Sequence, residues 1–190
     1  MTRSLPTRLL HLLIAAAVIH QFVISLFMRG PGSPGQGYDL AFELHEFIGL
    51  ASLGLFLIFW LWTVVRQREA GFFVLIPWFS SVRRQAVMQD VRLHLRAIGN
   101  RQFPHLADLS PFINAVHGLG LVLATTMAAT GAIIYVLMGV DGTVNGPGAA
   151  ALVAHRALAN LVWAYLVGHA SIALLHQAKG HAVLQRMFAV

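Results

Sequence analysis

The stretch that decides the fold is His155–His176, HRALANLVWAYLVGHASIALLH. It is apolar along nearly its whole length, yet it carries histidine at 155, 169 and 176. Charged residues are confined to its first turn, so it reads as a membrane-spanning helix, about 20 apolar residues being what a hydrocarbon layer of about 30 Å requires. His155 and His169 are 14 residues apart, close to four turns, which puts them on one helix face about 21 Å apart along the axis. Imidazole inside hydrocarbon is costly and marks a functional position.

Outward from this segment the chain repeats the pattern. Three further apolar runs, about 9–28, 42–65 and 112–138, join the one at about 152–176. The 190 residues are 57% hydrophobic and only 11% charged, with mean hydropathy +0.70. A soluble domain carries nearer a quarter of its residues as charges. The expected fold is therefore all-α: an integral membrane four-helix bundle in one domain spanning 1–190. Arg3 and Arg8 before the first run resemble the start of a leader. The run is longer than a leader's apolar core, no small-x-small cleavage site follows, and His11 and His20 lie within it, so it is read as a retained helix.

The connections set the topology. Two are short and rich in Gly and Pro, GPGSPGQG at 30–37 and GVDGTVNGPG at 139–148, so the first helix neighbours the second and the third neighbours the fourth, up and down. The connection between the second and third helices, 66–111, has structure of its own. Phe72, Phe73, Trp78 and Phe79 cluster around Pro77 as an interfacial aromatic group. Ser80 or Ser81 caps an amphipathic helix over 82–98, in which Val87, Val91, Leu95 and Ile98 recur at helical spacing among arginines. This helix is expected to lie on the cytoplasmic leaflet, with its basic stripe on lipid headgroups or, alternatively, on a partner.

Of the 13 basic residues, only Arg29 and Arg156 fall on one side. Arg3, Arg8, Arg66, Arg68, Arg83, Arg84, Arg92, Arg96, Arg101, Lys179 and Arg186 fall on the other, so both termini are expected in the cytoplasm of a bacterial inner-membrane protein. The basic balance thus reports orientation and lipid contact, with no nucleic-acid partner expected. The chain has no cysteine, which excludes disulfides, cysteine-ligated iron–sulfur clusters and thioether-attached haem.

Depth then pairs the histidines. His45 opens the second helix at the outer boundary, at the depth of His155. His11 lies 17 residues from the outer end of the first helix, as His169 does from the outer start of the fourth. Two couples follow, His45/His155 outside and His11/His169 inside. Two axial imidazoles per iron is the ligation that b-type haem takes, so two stacked haem b groups are expected. Small residues beside them, Gly49, Ala159 and Gly168, and a stripe Gly120, Ala124, Ala128, Gly131 on the third helix, suit a flat macrocycle and also suit bare helix packing. His20 points away from the inner couple, and His117 is a candidate for a quinone carbonyl or a proton. His176 is a reserve inner ligand. His94, His105 and His181 are expected at headgroup level. Arg8 and Arg156 are candidates to pair haem propionates, or else to reach lipid headgroups.

These residues resemble the bacterial di-haem cytochrome b561 family, relatives of the b-type subunits of nickel–iron hydrogenases and formate dehydrogenases. The resemblance rests on LLHLL (9–13), ELHEFIGL (43–50) and the fourth-helix motif with its 14-residue histidine spacing. It implies haem ligation by His11/His169 and by His45/His155, and a quinone site near the cytoplasmic haem. The expected activity is electron transfer across the membrane between the quinone pool and a periplasmic dehydrogenase, hydrogenase or small electron carrier. One alternative is a stand-alone superoxide:ubiquinone oxidoreductase, against which Asp39, Glu43, Glu46 and Asp141 make a poor attractor for an anion. Another is a histidine-based divalent-metal carrier, which would want its ligands at one depth.

Overall fold

The computed structural model describes residues 3–31, 39–66, 69–102 and 110–188; Arg68, His105, the middle of the first outer connection (32–38) and the side chain of Arg186 lie outside the described residues. Among the described residues seven α-helices follow in order: α1 (Leu5–Ser25), α2 (Leu40–Val65), α3 (Phe72–Leu75), α4 (Ser81–Gly99), α5 (Pro111–Leu137), α6 (Pro147–Ala178) and α7 (Val183–Phe188), with a 3-10 turn at Pro77–Phe79. Four of them, α1, α2, α5 and α6, are long and apolar enough to cross a membrane, and among the described residues there is no strand.

Local chemistry fixes the helix starts. Asp39 caps α2 by accepting the Ala41 N–H, and Glu43 adds an anion to the positive end of the helix dipole. Ser80 caps α4 by accepting the Arg83 N–H, as Ser110 caps α5 by accepting the Ile113 N–H, with Pro111 in its first turn. The largest departure from the sequence reading is at α6, which begins at Pro147, about five residues before the expected 152. Gly146 turns the chain with φ 52° and Pro147 starts the helix directly, so a Gly-Pro-Gly run that reads as loop is a helix start.

Neighbours in the chain are neighbours in space: α5 packs along α6, α1 along α2, and α2 along α5, while close backbone approach of α6 to α1 or α2 is sparse. Side chains bridge that gap instead, as where Phe22 of α1 meets Trp163 of α6 with ring centroids 4.2 Å apart. Outward-facing Leu9, Leu13, Leu57, Leu61, Leu161 and Leu174 are exposed, as expected of helix faces whose solvent is lipid.

The connection between α2 and α5 is a packed element. α3 presses on α5 at Gly118, where an added Cβ would lie 1.8 Å from the Leu75 carbonyl oxygen. Phe72 packs edge-on to Trp60, whereas Phe79 remains 87% exposed, so the aromatic cluster divides into an inner and an outer part. α4 covers the expected 82–98 and is clamped to α5: the Asp90 carboxylate accepts from the Phe112 N–H at 3.0 Å and from the Ser110 hydroxyl. Val87 and Val91 lie on the half-buried side of α4, whereas Leu95 and Ile98 are exposed, because the bundle takes only the face that carries Asp90. His94, expected at headgroup level, is half-buried, 3.4 Å from the Asp90 carboxylate and edge-on to Phe112.

Candidate functional site

The outer layer is built by α2, α5 and α6. The rings of His45 and His155 face each other with centroids 6.2 Å apart and planes at 87°. His155 Nδ1 lies 2.9 Å from the Met127 carbonyl and 3.0 Å from the Thr130 hydroxyl. A carbonyl only accepts, so Nδ1 carries the proton and Nε2 keeps its lone pair. His45 Nδ1 is buried with no partner among the described residues. Beside the two rings opens a cleft of about 150 Å³, lined by Gly49, Ala124, Ala128 and Gly131 as well as by both histidines. Side chains larger than these would close it. An added Cβ at Gly131 would press on the His155 ring at 3.2 Å. Gln21 donates to the His45 carbonyl at 2.9 Å and packs against Gly49. Arg156 and Glu46 also line the cleft, with the Arg156 guanidinium beside Gly30.

The inner layer is built by α1, α5 and α6. His11 and His169 have ring centroids 6.4 Å apart. His117 lies edge-on to His169 at 5.3 Å, and Tyr165 stacks on the same ring at 5.6 Å with planes 14° apart. Gly120 makes room for that tyrosine, since a Cβ there would fall 2.0 Å from the phenol ring. Phe188 of α7 meets His11 edge-on at 6.2 Å. His11 Nδ1 is also buried and unpartnered among the described residues.

The two separations have a chemical meaning. An imidazole nitrogen bonds a first-row metal at about 2.0–2.1 Å, and its ring centre lies roughly an ångström behind, so two imidazoles on opposite sides of one ion have centroids about 6.3 Å apart. Both couples match that span, and both exceed ring contact. The 5.3 Å between His117 and His169 is too short for it, which makes His117 a neighbour of the couple. The residues present therefore fit haem iron with two axial histidines. Among the described residues no group of three or more His, Asp or Glu converges as a metal site.

Other expectations are corrected. His176 is a poor reserve ligand: it sits at the far end of α6, with its Nδ1 2.9 Å from His181 Nδ1. His181 is accordingly held in that pair, where headgroup exposure was expected. Arg8 gives its Nε–H to the Met187 carbonyl at 3.4 Å, which ties α1 to α7. His20 lies in the second half of α1, away from the inner couple as expected. A Cβ at Gly168 would meet no protein atom within 4 Å.

Two residues at the inner layer escape the sequence reading. Tyr165 precedes His169 by one turn, and that i, i+4 spacing is the signal that was available. Asn114, one turn before His117, is 3% exposed with its Nδ2 unpartnered among the described residues; a lone amide in an apolar helix was its signal.

A membrane bundle that holds facing imidazoles in a small-residue cleft is the architecture of a membrane haem protein. The chain matches the family model described as prokaryotic cytochrome b561 over residues 2–189, nearly its full length, and belongs to that family. It is thus a multi-pass bacterial membrane protein of b-type haem electron transfer. No match was found among curated proteins or among solved structures.

Proposed function

We propose that the whole chain, 1–190, is one di-haem unit of the inner membrane that passes electrons between a donor or partner on the periplasmic side and quinone on the cytoplasmic side. The observation that carries this reading is the pair of layered histidine couples, each at the span of two axial imidazoles, 6.2 and 6.4 Å. His45 and His155 would hold the outer haem b and His11 and His169 the inner one. Haem, when bound, would supply the one-electron chemistry.

The chain's own residues do the rest. Met127 and Thr130 hold the proton on His155 Nδ1 and so aim Nε2 into the cleft. Gly49, Ala124 and Ala128 keep that cleft apolar and wide. Arg156 is the cation available to an outer propionate. At the inner layer, Asn114 and His117 share a face of α5, and the unused Asn114 amide beside His117 suits a quinone carbonyl. The placement of the basic residues supports cytoplasmic termini.

The test is a reduced-minus-oxidised spectrum of the purified chain, followed by anaerobic addition of quinol to the oxidised protein. A b-type α-band that quinol partly restores is expected. A b-type band indifferent to quinol contradicts the quinone step, and a haem-free spectrum from haem-replete cells contradicts the whole reading.

A further inference from the structure

On the cytoplasmic side of the inner couple, the start of α1 meets the end of α2 in a buried ionic cluster. The Arg66 side chain is 7% exposed, stands over the Phe59 ring at 5.4 Å, and brings Nη1 to 3.5 Å from the Thr7 hydroxyl and 3.8 Å from Glu69 Oε2. Its Nε is buried without a partner among the described residues. Glu69 Oε1 accepts the Ser4 N–H at 2.8 Å, and Arg3 approaches Oε2 at 4.0 Å. Thr7 in turn accepts from the Trp62 indole at 2.8 Å. Thr7 lies one turn, about 6 Å, before His11.

Two guanidinium groups therefore face one carboxylate, a half-exposed Arg3 and a buried Arg66, and among the described residues Arg66 Nε and Glu69 Oε2 both lack a hydrogen-bond partner. A buried N–H of a charged group left unpaired is expensive, so the cluster is built for one more oxyanion. Haem b brings two carboxylates that themselves need cations in a low dielectric.

We propose, resting on the di-haem reading above, that Arg66 receives a carboxylate of the inner haem through its free Nε–H, and that Glu69 opposes it, so that the pair sets the reduction potential of the inner haem. A cation near the iron favours the ferrous form, which carries one positive charge fewer, and raises the potential; an anion lowers it.

The experiment is an optical redox titration of the purified full chain, with the inner haem assigned as the component lost in His169→Ala. Arg66→Gln should shift the inner midpoint down, Glu69→Gln should shift it up, and the outer midpoint should stay in place. Arg66→Lys, which keeps the charge but lacks the Nε–H, should shift the inner midpoint down by less than Arg66→Gln. If Arg66→Gln fails to assemble, Glu69→Gln and Arg66→Lys still must move in opposite directions. Shifts of the same sign, or none, with two haems retained would overturn this proposal alone and leave the cluster a mechanical clamp. A wild-type chain without an inner haem would overturn it together with the di-haem reading.

Discussion

The Nδ1 of His155, on α6, lies 2.9 Å from the carbonyl oxygen of Met127, on α5. That contact decides which imidazole nitrogen faces the cleft, and it makes the ring a stronger electron donor by drawing on its N–H. The Thr130 hydroxyl shares the contact at 3.0 Å. Thr130→Val should leave the Met127 bond and lose the second one. The expected result is an outer haem midpoint that moves up and a haem affinity lower by up to about tenfold, read by redox titration and haem retention, with the inner component unchanged.

Gly120 is occupied in all but name by Tyr165, whose ring would lie 2.0 Å from any added Cβ. Gly120→Ala forces that ring off His169 or parts α5 from α6. Overpacking of this kind costs about 1–3 kcal/mol, so the melting temperature should fall, and the spectrum of the inner haem should change with it. Gly168→Ala, which meets no protein atom within 4 Å, should leave the melting temperature in place.

Glu69 titrates below the ordinary carboxyl value. Burial pushes its pKa up, but hydrogen bonds from Ser4 and Thr7 and the Arg66 charge together outweigh that. A depressed carboxyl pKa contributes stability that is complete above the unfolded value and is lost as pH falls through the folded one. Melting temperature measured from pH 7 downward should therefore drop more steeply below about pH 4.5 in the wild type than in Glu69→Gln, whose curve starts lower and runs flatter.

Asp90 holds α4 to the first turn of α5 through the Phe112 N–H and the Ser110 hydroxyl. Asp90→Ala leaves those donors without their acceptor and should destabilise the protein by about 1–2 kcal/mol, seen as a lower melting temperature. Both haems should remain, since the clamp lies outside the histidine layers.

What was legible from sequence follows from what hydrophobicity encodes. The four spans show as apolar runs because lipid demands them, and the histidine couples show because an imidazole at a given depth can meet only another at that depth. The start of α6 does not show: Gly146, Pro147 and Gly148 suit a turn as well as a helix start, and it is the positive φ of Gly146 followed directly by Pro147 that opens the helix there. Nor does α7, whose six residues carry too little periodicity to stand out. The roles of Asp90, Arg66 and Glu69 arise from tertiary partners distant in the chain. His176 misled because a shared helix face says nothing of the His181 that folds back onto it.

The central claim is two haems held by four named histidines, and the direct measurement is a pyridine haemochrome assay per chain on the detergent-purified protein. The wild type should give two haem b, His45→Ala and His169→Ala one each, and His176→Ala two. A wild type holding one haem or none, or single variants that keep both, would contradict it.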